Sequence, residues 1–200
     1  MTELSALLEE VHRCQICAPS LPLGARPVLQ CSQRARILIA GQAPGSKVHA
    51  SGVPFDDASG DRLRGWMGVD CNTFYDADSI AILPMGFCYP GSGKSGDLAP
   101  RPECAATWRK PLLNQLPQVE LTLVLGQYAQ AYHFNNSAGS LTARVSNWRE
   151  YWHHDAATML PLPHPSPRNN RWFKRNPWFE EELLPNLKLR VDELLRKTHE

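Results

Sequence analysis

No run of apolar residues among these 200 approaches the length needed to cross a bilayer, so a membrane-spanning helix is excluded by reach alone. Net charge is nearly absent as well: 21 Lys and Arg against 20 Asp and Glu leave +1, so any case for a polyanionic ligand rests on where the cations sit. The start lacks a basic segment followed by an apolar one and carries Glu3, Glu9 and Glu10, which argues against a secretory leader. Internal repeats, long linkers and low-complexity stretches are also missing. What is present is a composition 42% apolar, enough for one buried core, and a single domain over residues 1–200 is the expectation. A soluble, cytoplasmic monomer follows, in reducing surroundings where six cysteines serve as thiols or metal ligands rather than disulfides.

Leu4, Leu7, Leu8 and Val11 recur at helical spacing and predict an amphipathic helix over 3–13 that runs into Cys14-Gln15-Ile16-Cys17. Residues 37–40, 80–83, 121–125 and 159–162 are short apolar runs that stop at Gly, Pro or a polar turn, which is how strands buried on both faces read. Helical stretches are expected over 59–68, partly over 102–115, after Gly126, and around 140–151. The last helix has a clear start: Asn176 can cap it, Pro177 suits its first position, and Glu180, Glu181 and Glu182 complement its positive end. It is expected to reach about Arg196, with an adjustment at Pro185. This alternation predicts an α/β fold, a three-layer α/β/α sandwich on a mainly parallel four-stranded central sheet. Ligands of such sheets bind beyond the carboxyl ends of the strands.

Two cysteine pairs stand out. Cys14 and Cys17 form a CxxC, and Cys88 and Cys104, with fifteen residues between them, lie in a distant segment. Four soft ligands suit iron–sulfur or zinc, and spacing does not choose between them. The alternative is four ordinary thiols, while Cys31 and Cys71 read as small buried hydrophobes.

Residues 41–60, GQAPGSKVHASGVPFDDASG, and the later His164-Pro165-Ser166-Pro167 carry a resemblance. The first segment resembles the first motif of the uracil-DNA glycosylase superfamily, closest to its iron–sulfur family 4, whose pattern begins GEAPG and continues to G-x-P-F. Gly41, Ala43, Pro44, Gly45, Gly52, Pro54 and Phe55 match. His164-Pro165-Ser166 resembles the second motif, and the order of the cysteines agrees, so the likeness covers residues 14–167. The resemblance implies a uracil-DNA glycosylase-like fold, a [4Fe-4S] cluster on Cys14, Cys17, Cys88 and Cys104, and DNA containing a damaged base as partner. Three positions depart from the pattern. Gln42 stands where family 4 has Glu, His49 replaces a later acidic residue, and Pro84 occupies the end of the second strand, where an Asn commonly reads the pyrimidine edge.

Breaking an N-glycosidic bond needs a base turned out of the stack, hydrogen bonds to the departing anion, and a water set against the sugar. By resemblance, Phe55 stacks on the flipped base, the backbone of Gly41, Ala43, Pro44 and Gly45 surrounds it, and His164 donates to a ring oxygen. Gln42 can orient water through its carbonyl oxygen, with Asp56, Asp57 and His49 as rival bases. Each residue also has a plainer reading: Phe55 as core, His164 as a structural histidine, and Asp56 or Asp57 as a cap for the following helix.

Arg168, Arg171, Lys174 and Arg175 are interleaved with Asn169, Asn170, Trp172 and Phe173, the densest basic stretch in the chain. Cations there can neutralise phosphates while the aromatics stack or wedge at a disturbed step, and Ser166 and Arg168 read as a loop pressing on the strand. The plainer alternative is a Trp-anchored surface turn. Gly91-Ser92-Gly93-Lys94-Ser95 is not a phosphate-binding loop, because Cys88 occupies the position of the required first glycine. His153-His154-Asp155 reads as a surface turn rather than a metal site.

Three functions fit the sequence. The first is a DNA repair glycosylase that hydrolyses the N-glycosidic bond of uracil or another deaminated base and leaves an abasic site. The others are a catalytically weak or inactive DNA-binding protein of the same fold, and a small-molecule or nucleotide-processing α/β enzyme.

Overall fold

The computed structural model describes residues 2–94, 96–134, 139–152 and 157–198. Four strands, β1 (Ile37–Ala40), β2 (Ile80–Ile82), β3 (Leu121–Leu125) and β4 (Thr158–Leu162), form one sheet in the order β2-β1-β3-β4. Every pairing is parallel, with Ile37 opposite both Ile80 and Leu121, and Leu121 opposite Thr158. All four carboxyl ends therefore emerge at one rim.

The pleat sorts side chains to the two faces. Ile37 and Ile39, with Ile80, Ile82, Leu121, Leu123, Leu160 and Leu162, pack against helix Ala58–Met67 and the long C-terminal helix through Leu63, Trp66, Phe179, Leu187 and Val191. Leu38, Ala81 and Leu83 face the other way, onto Leu4 and Val11 of the first helix and onto Leu112 and Leu116. Three layers result, as the alternation of the sequence predicts. Continuous apolar strands are required because both faces are covered.

The margins of the sheet are finished differently. Pro161 sits in edge strand β4, where a missing N–H costs no ladder bond. Beside β2, Gln30 makes an isolated antiparallel bridge to Ile82, and its side-chain amide donates to the carbonyls of Phe74 and Ile80 at 3.1 and 2.7 Å.

The first helix is Glu3–His12, capped by the Thr2 hydroxyl, which accepts from Ser5 N–H. Residues 102–114 form one helix with a π turn at Ala105–Arg109. The final helix carries a second π turn at Phe179–Leu183, two residues ahead of Pro185, and continues to Thr198, two residues past the expected end. A proline has no N–H to give the preceding turn, and a widened turn there accommodates its ring. Three short helices were not expected: Ser46–Ser51, Cys71–Phe74 and Asn170–Arg175. The glycine-rich segment after β2 folds as a small hairpin, Ser92–Gly93 against Gly96–Asp97. Ser95 within it, and the His153-His154-Asp155 turn, lie outside the described residues.

Candidate active site

β1 ends at Ala40, and Gly41 carries the chain off the sheet between two walls: a Cβ there would stand 3.3 Å from the Phe55 ring and 4.0 Å from Pro84. The loops after β1 and β2 are tied together, since Met85 N–H donates to Gly41 O at 2.9 Å and Gly86 N–H to Gln42 O at 3.0 Å. Phe55 is held in the left-handed region, φ +56°, the only non-glycine so found among the described residues. That conformation costs about 1–3 kcal/mol and persists only where its surroundings enforce it. Gly60 leaves the room this turn needs. A Cβ on it would lie 1.8 Å from the Phe55 carbonyl oxygen. The ring also meets Phe74 edge-on at 6.2 Å, so Phe55 both touches the core and walls the cleft.

On the far side, β4 delivers His164 two residues past its end. Gly126 packs beside it at φ +75°, a left-handed conformation that favours glycine, and a Cβ there would be in van der Waals contact with His164 Cβ at 3.4 Å. Gln130 donates to Leu162 O at 2.9 Å and Asn169 to His164 O at 2.7 Å, fixing the main chain on both sides. Ser166 N–H donates to His164 Nδ1 at 3.2 Å. With Nδ1 accepting, the neutral ring bears its proton on Nε2. Burial pushes the imidazole below the ordinary histidine range, against the opposing pull of the Asp57 and Asp97 carboxylates. The ring is therefore a neutral donor near pH 7.

Gly41, Gln42, Ala43, Pro44 and Gly45, with Phe55, Asp57, His164, Ser166 and Arg168, line one cleft of about 730 Å³ at the carboxyl rim of the sheet. Asp56 does not belong to it. The turn at Phe55 leaves Asp56 exposed and outside the cleft-lining set. Asp57 caps helix Ala58–Met67, its Oδ1 accepting from Ser59 and Gly60 N–H at 2.9 Å each. His49 is also displaced from the cleft; its ring faces Tyr89 at 6.1 Å and its Nδ1 is buried without a hydrogen-bond partner. Gln42 donates from its amide to Leu98 O at 3.4 Å. Pro84 presents ring carbons to the cleft, while its carbonyl and that of Leu83 accept from the buried Arg109 at 3.2 and 2.8 Å. Arg109 also meets His133 Nε2 at 2.7 Å, and burial with this neighbouring cation lowers His133 to about 3.

The basic stretch divides into two faces. Ser166 caps the turn at Pro167–Asn169, and Arg168 lies at the mouth of the cleft. Arg171 and Lys174 stand exposed on helix Asn170–Arg175, outside the cleft-lining set. The aromatics are not free wedges: Phe173 is buried, and Trp172 packs on the core while donating to Thr142 Oγ1 at 2.7 Å. They anchor the helix because Trp172 and Phe173 meet Trp178 and Phe179 at 5.6–5.9 Å.

Cys14, Cys17, Cys88 and Cys104 line a second, small cavity walled by Ile16, Leu21, Pro27, Phe87 and Trp108. Among the described residues, no three or more His, Cys, Asp or Glu are placed to hold a single metal ion. The sulfurs border a shared apolar space. Phe87 N–H and Trp108 Nε1–H each approach a sulfur at 3.3 Å, on Cys104 and Cys14 respectively, and Arg101 reaches Cys17. Such donors favour thiolate, but burial, helped by the neighbouring thiols, outweighs them: Cys104 is pushed up to about 12, and Cys17 and Cys88 are raised. Four thiols with N–H donors in an apolar pocket fit a sulfur-ligated cluster.

Arg62, Gly60, Gly126 and Asp97 escaped the sequence reading. Arg62 donates to the carbonyls of Pro165 and Ser166 and to Asn170 Oδ1, binding the second motif to helix Ala58–Met67. Only the glycines around Lys94, a turn signal, pointed to the hairpin that brings Asp97 into the cleft. The sequence profile of the uracil DNA glycosylase superfamily matches residues 29–188, which takes in all four strands and both motif loops and leaves Cys14 and Cys17 outside.

Proposed function

Because the chain belongs to the uracil DNA glycosylase superfamily, we propose that it is a DNA repair glycosylase that accepts an extruded, deaminated base in the cleft between Phe55 and His164 and hydrolyses its N-glycosidic bond. The observation that carries this reading is the convergence of the 41–45 loop, Phe55 and His164 on one cleft. In this reading the base stacks on Phe55, and the Gly41–Gly45 backbone encloses it. His164 Nε2–H donates to a ring oxygen as negative charge develops there, a contact that strengthens toward the transition state. No proton need be transferred from this ring, since a neutral imidazole suffices as donor.

Arg168 at the cleft mouth, with Arg171 and Lys174 on the adjoining helix, supports a phosphate-contacting surface beside the extruded nucleotide. The four-cysteine pocket supports membership of the iron–sulfur family 4 type, with Cys14, Cys17, Cys88 and Cys104 holding a [4Fe-4S] cluster. Bound there, the cluster supplies a cross-link between the N-terminal helix and the segment after β2.

A second reading is a DNA-binding protein of this fold without turnover. It is favoured by Pro84, which offers no amide to a base edge, and by Gln42, which is not a carboxylate. Incubation with oligonucleotides containing uracil, hypoxanthine or xanthine, followed by alkali, separates the two. Strand cleavage on any of them supports the glycosylase. Tight, salt-sensitive binding with no cleavage supports the second reading.

A further inference from the structure

The glycosylase reading leaves one role unfilled, since an amide at position 42 takes no proton from water. We propose that Asp97 supplies the missing carboxylate, so that the group orienting and deprotonating the attacking water comes from the hairpin after β2 rather than from the loop after β1. This rests on the glycosylase reading and adds a residue and an element to it.

Four observations carry the assignment. Asp97 lines the same cleft as Phe55 and His164, and its Oδ2 lies 3.5 Å from where a Cβ on Gly45 would be. In this assignment the attacking water sits beside Gly45, where no side chain stands between the motif loop and this oxygen. Asp97 Oδ1 accepts from Ser92 Oγ at 3.0 Å, and Ser92 Oγ in turn meets the Tyr89 hydroxyl at 2.6 Å. One oxygen is thus anchored and the other faces the cleft.

Gln42 then has a reason to be glutamine. Its amide donates to the carbonyl of Leu98, the residue after Asp97, while Leu98 N–H donates to Gly91 O at 2.8 Å. Glutamate at position 42 would set oxygen against oxygen and lose that tie. Gln42 is therefore a positioning residue for the carboxylate that replaces it. Finally, the hairpin is seated on the second motif: Gly96, at φ +133°, has the Arg168 guanidinium where its Cβ would lie. The carboxylate arrives at the point where both motif loops meet. Of its rivals, Asp56 is outside the cleft, and Asp57, whose Oδ2 lies 3.9 Å from the same Gly45 Cβ position, has its Oδ1 held by two backbone N–H groups at a helix start, where Asp97 Oδ1 is held only by the Ser92 hydroxyl.

The step balances without a further reactant. The bond from C1′ to the base nitrogen breaks and its electron pair leaves with the base, whose anion is met by His164 Nε2–H and later protonated by solvent. The water oxygen bonds to C1′, and its proton passes to Asp97 Oδ2. The same carboxylate faces the positive charge that develops on the sugar.

The test is single-turnover excision by the full chain, comparing wild type, Asp97→Asn, and Asp97→Ala with and without sodium formate. Asp97→Asn keeps an acceptor for Ser92, so the hairpin is retained. The expected result is a loss of about 10²–10⁴-fold in rate for both variants. Affinity for abasic-site DNA should be unchanged, and formate but not chloride should accelerate Asp97→Ala. An Asp97→Asn protein that excises at the wild-type rate overturns the assignment. So does an Asp97→Ala protein that is slow and unmoved by formate, which would make Asp97 a builder of the hairpin only. If wild type releases no base from any of the three substrates, the glycosylase reading falls first and takes this role with it.

Discussion

The guanidinium of Arg62 donates to the carbonyl oxygen of Ser166 at 3.2 Å, across 104 residues of chain, and the same fork reaches Pro165 O and Asn170 Oδ1. Helix Ala58–Met67, which Asp57 caps and Gly60 presses against Phe55, is thereby fastened to the loop bearing His164. The two walls of the cleft are held by one helix.

Arg62→Ala should therefore slow excision more than it weakens DNA binding, because it frees the second motif without removing a group that meets the base. A loss of about 10²-fold is expected for a displacement near 1 Å. Arg62→Lys should recover little of it, since a point charge cannot serve three acceptors held in a fork. Single-turnover rates set beside binding isotherms check this; equal losses in both would contradict it.

His164→Ala should lower turnover by about 10²–10³-fold with little change in affinity, as for loss of one donor to a developing anion. Since burial holds this imidazole below the ordinary range, the excision rate should be flat from pH 8 to about 6.5. On further acidification Nδ1 gains a proton that faces the Ser166 N–H donor, and the rate should fall.

Stability follows the same sign. His133 is lowered to about 3 and His164 is lowered too, so between about 6.5 and those values the unfolded chain binds protons that the folded chain refuses. The histidine contribution is complete above pH 6.5 and is lost progressively as pH falls toward 3. Urea midpoints measured from pH 7.5 down to 4 should decline, and less steeply in His133→Gln.

Gly60→Ala places a methyl 1.8 Å from the Phe55 carbonyl oxygen, a backbone atom that has no rotamer to escape into. The substitution should cost about 1–3 kcal/mol and shift Phe55 out of its left-handed turn. Gly65→Ala on the same helix meets nothing within 4 Å and should be neutral or mildly stabilising. Thermal midpoints of the two variants provide the comparison.

Serine at Cys14, Cys17, Cys88 or Cys104 should each abolish visible iron–sulfur absorbance in anaerobically purified protein. Serine at Cys31 or Cys71, neither of which lines that pocket, should leave it intact. Colourless wild-type protein containing zinc would replace the cluster with the other metal considered from the sequence.

The strands were legible because burial on both faces writes itself as an unbroken apolar run, as at Ile37–Ala40 and Leu121–Leu125. The motif loops were legible from their residues, and the cleft they share lies where a parallel sheet places ligands. The supporting contacts were not. Arg62 meets Ser166, Gly126 meets His164 and Asp97 meets Gly45 only after distant segments have folded together, and no local periodicity records such meetings. Residues 170–175 were read for their charges, which concealed that Trp172 and Phe173 give the segment an inward side and make it a helix.

Every outward-facing main-chain group of β2 already has a mate: Ile80 N–H on Asp76 O, Ile80 O on the Gln30 amide, and Ile82 on both main-chain groups of Gln30. Bare sheet margins template the accretion of further chains. Gln30 and the Asp76 carbonyl close this margin, and at the opposite one Pro161 withholds the donor that a newcomer would need. A sheet so blunted at both ends resists edge-to-edge association during synthesis and at high concentration, although its central strands are almost continuously apolar.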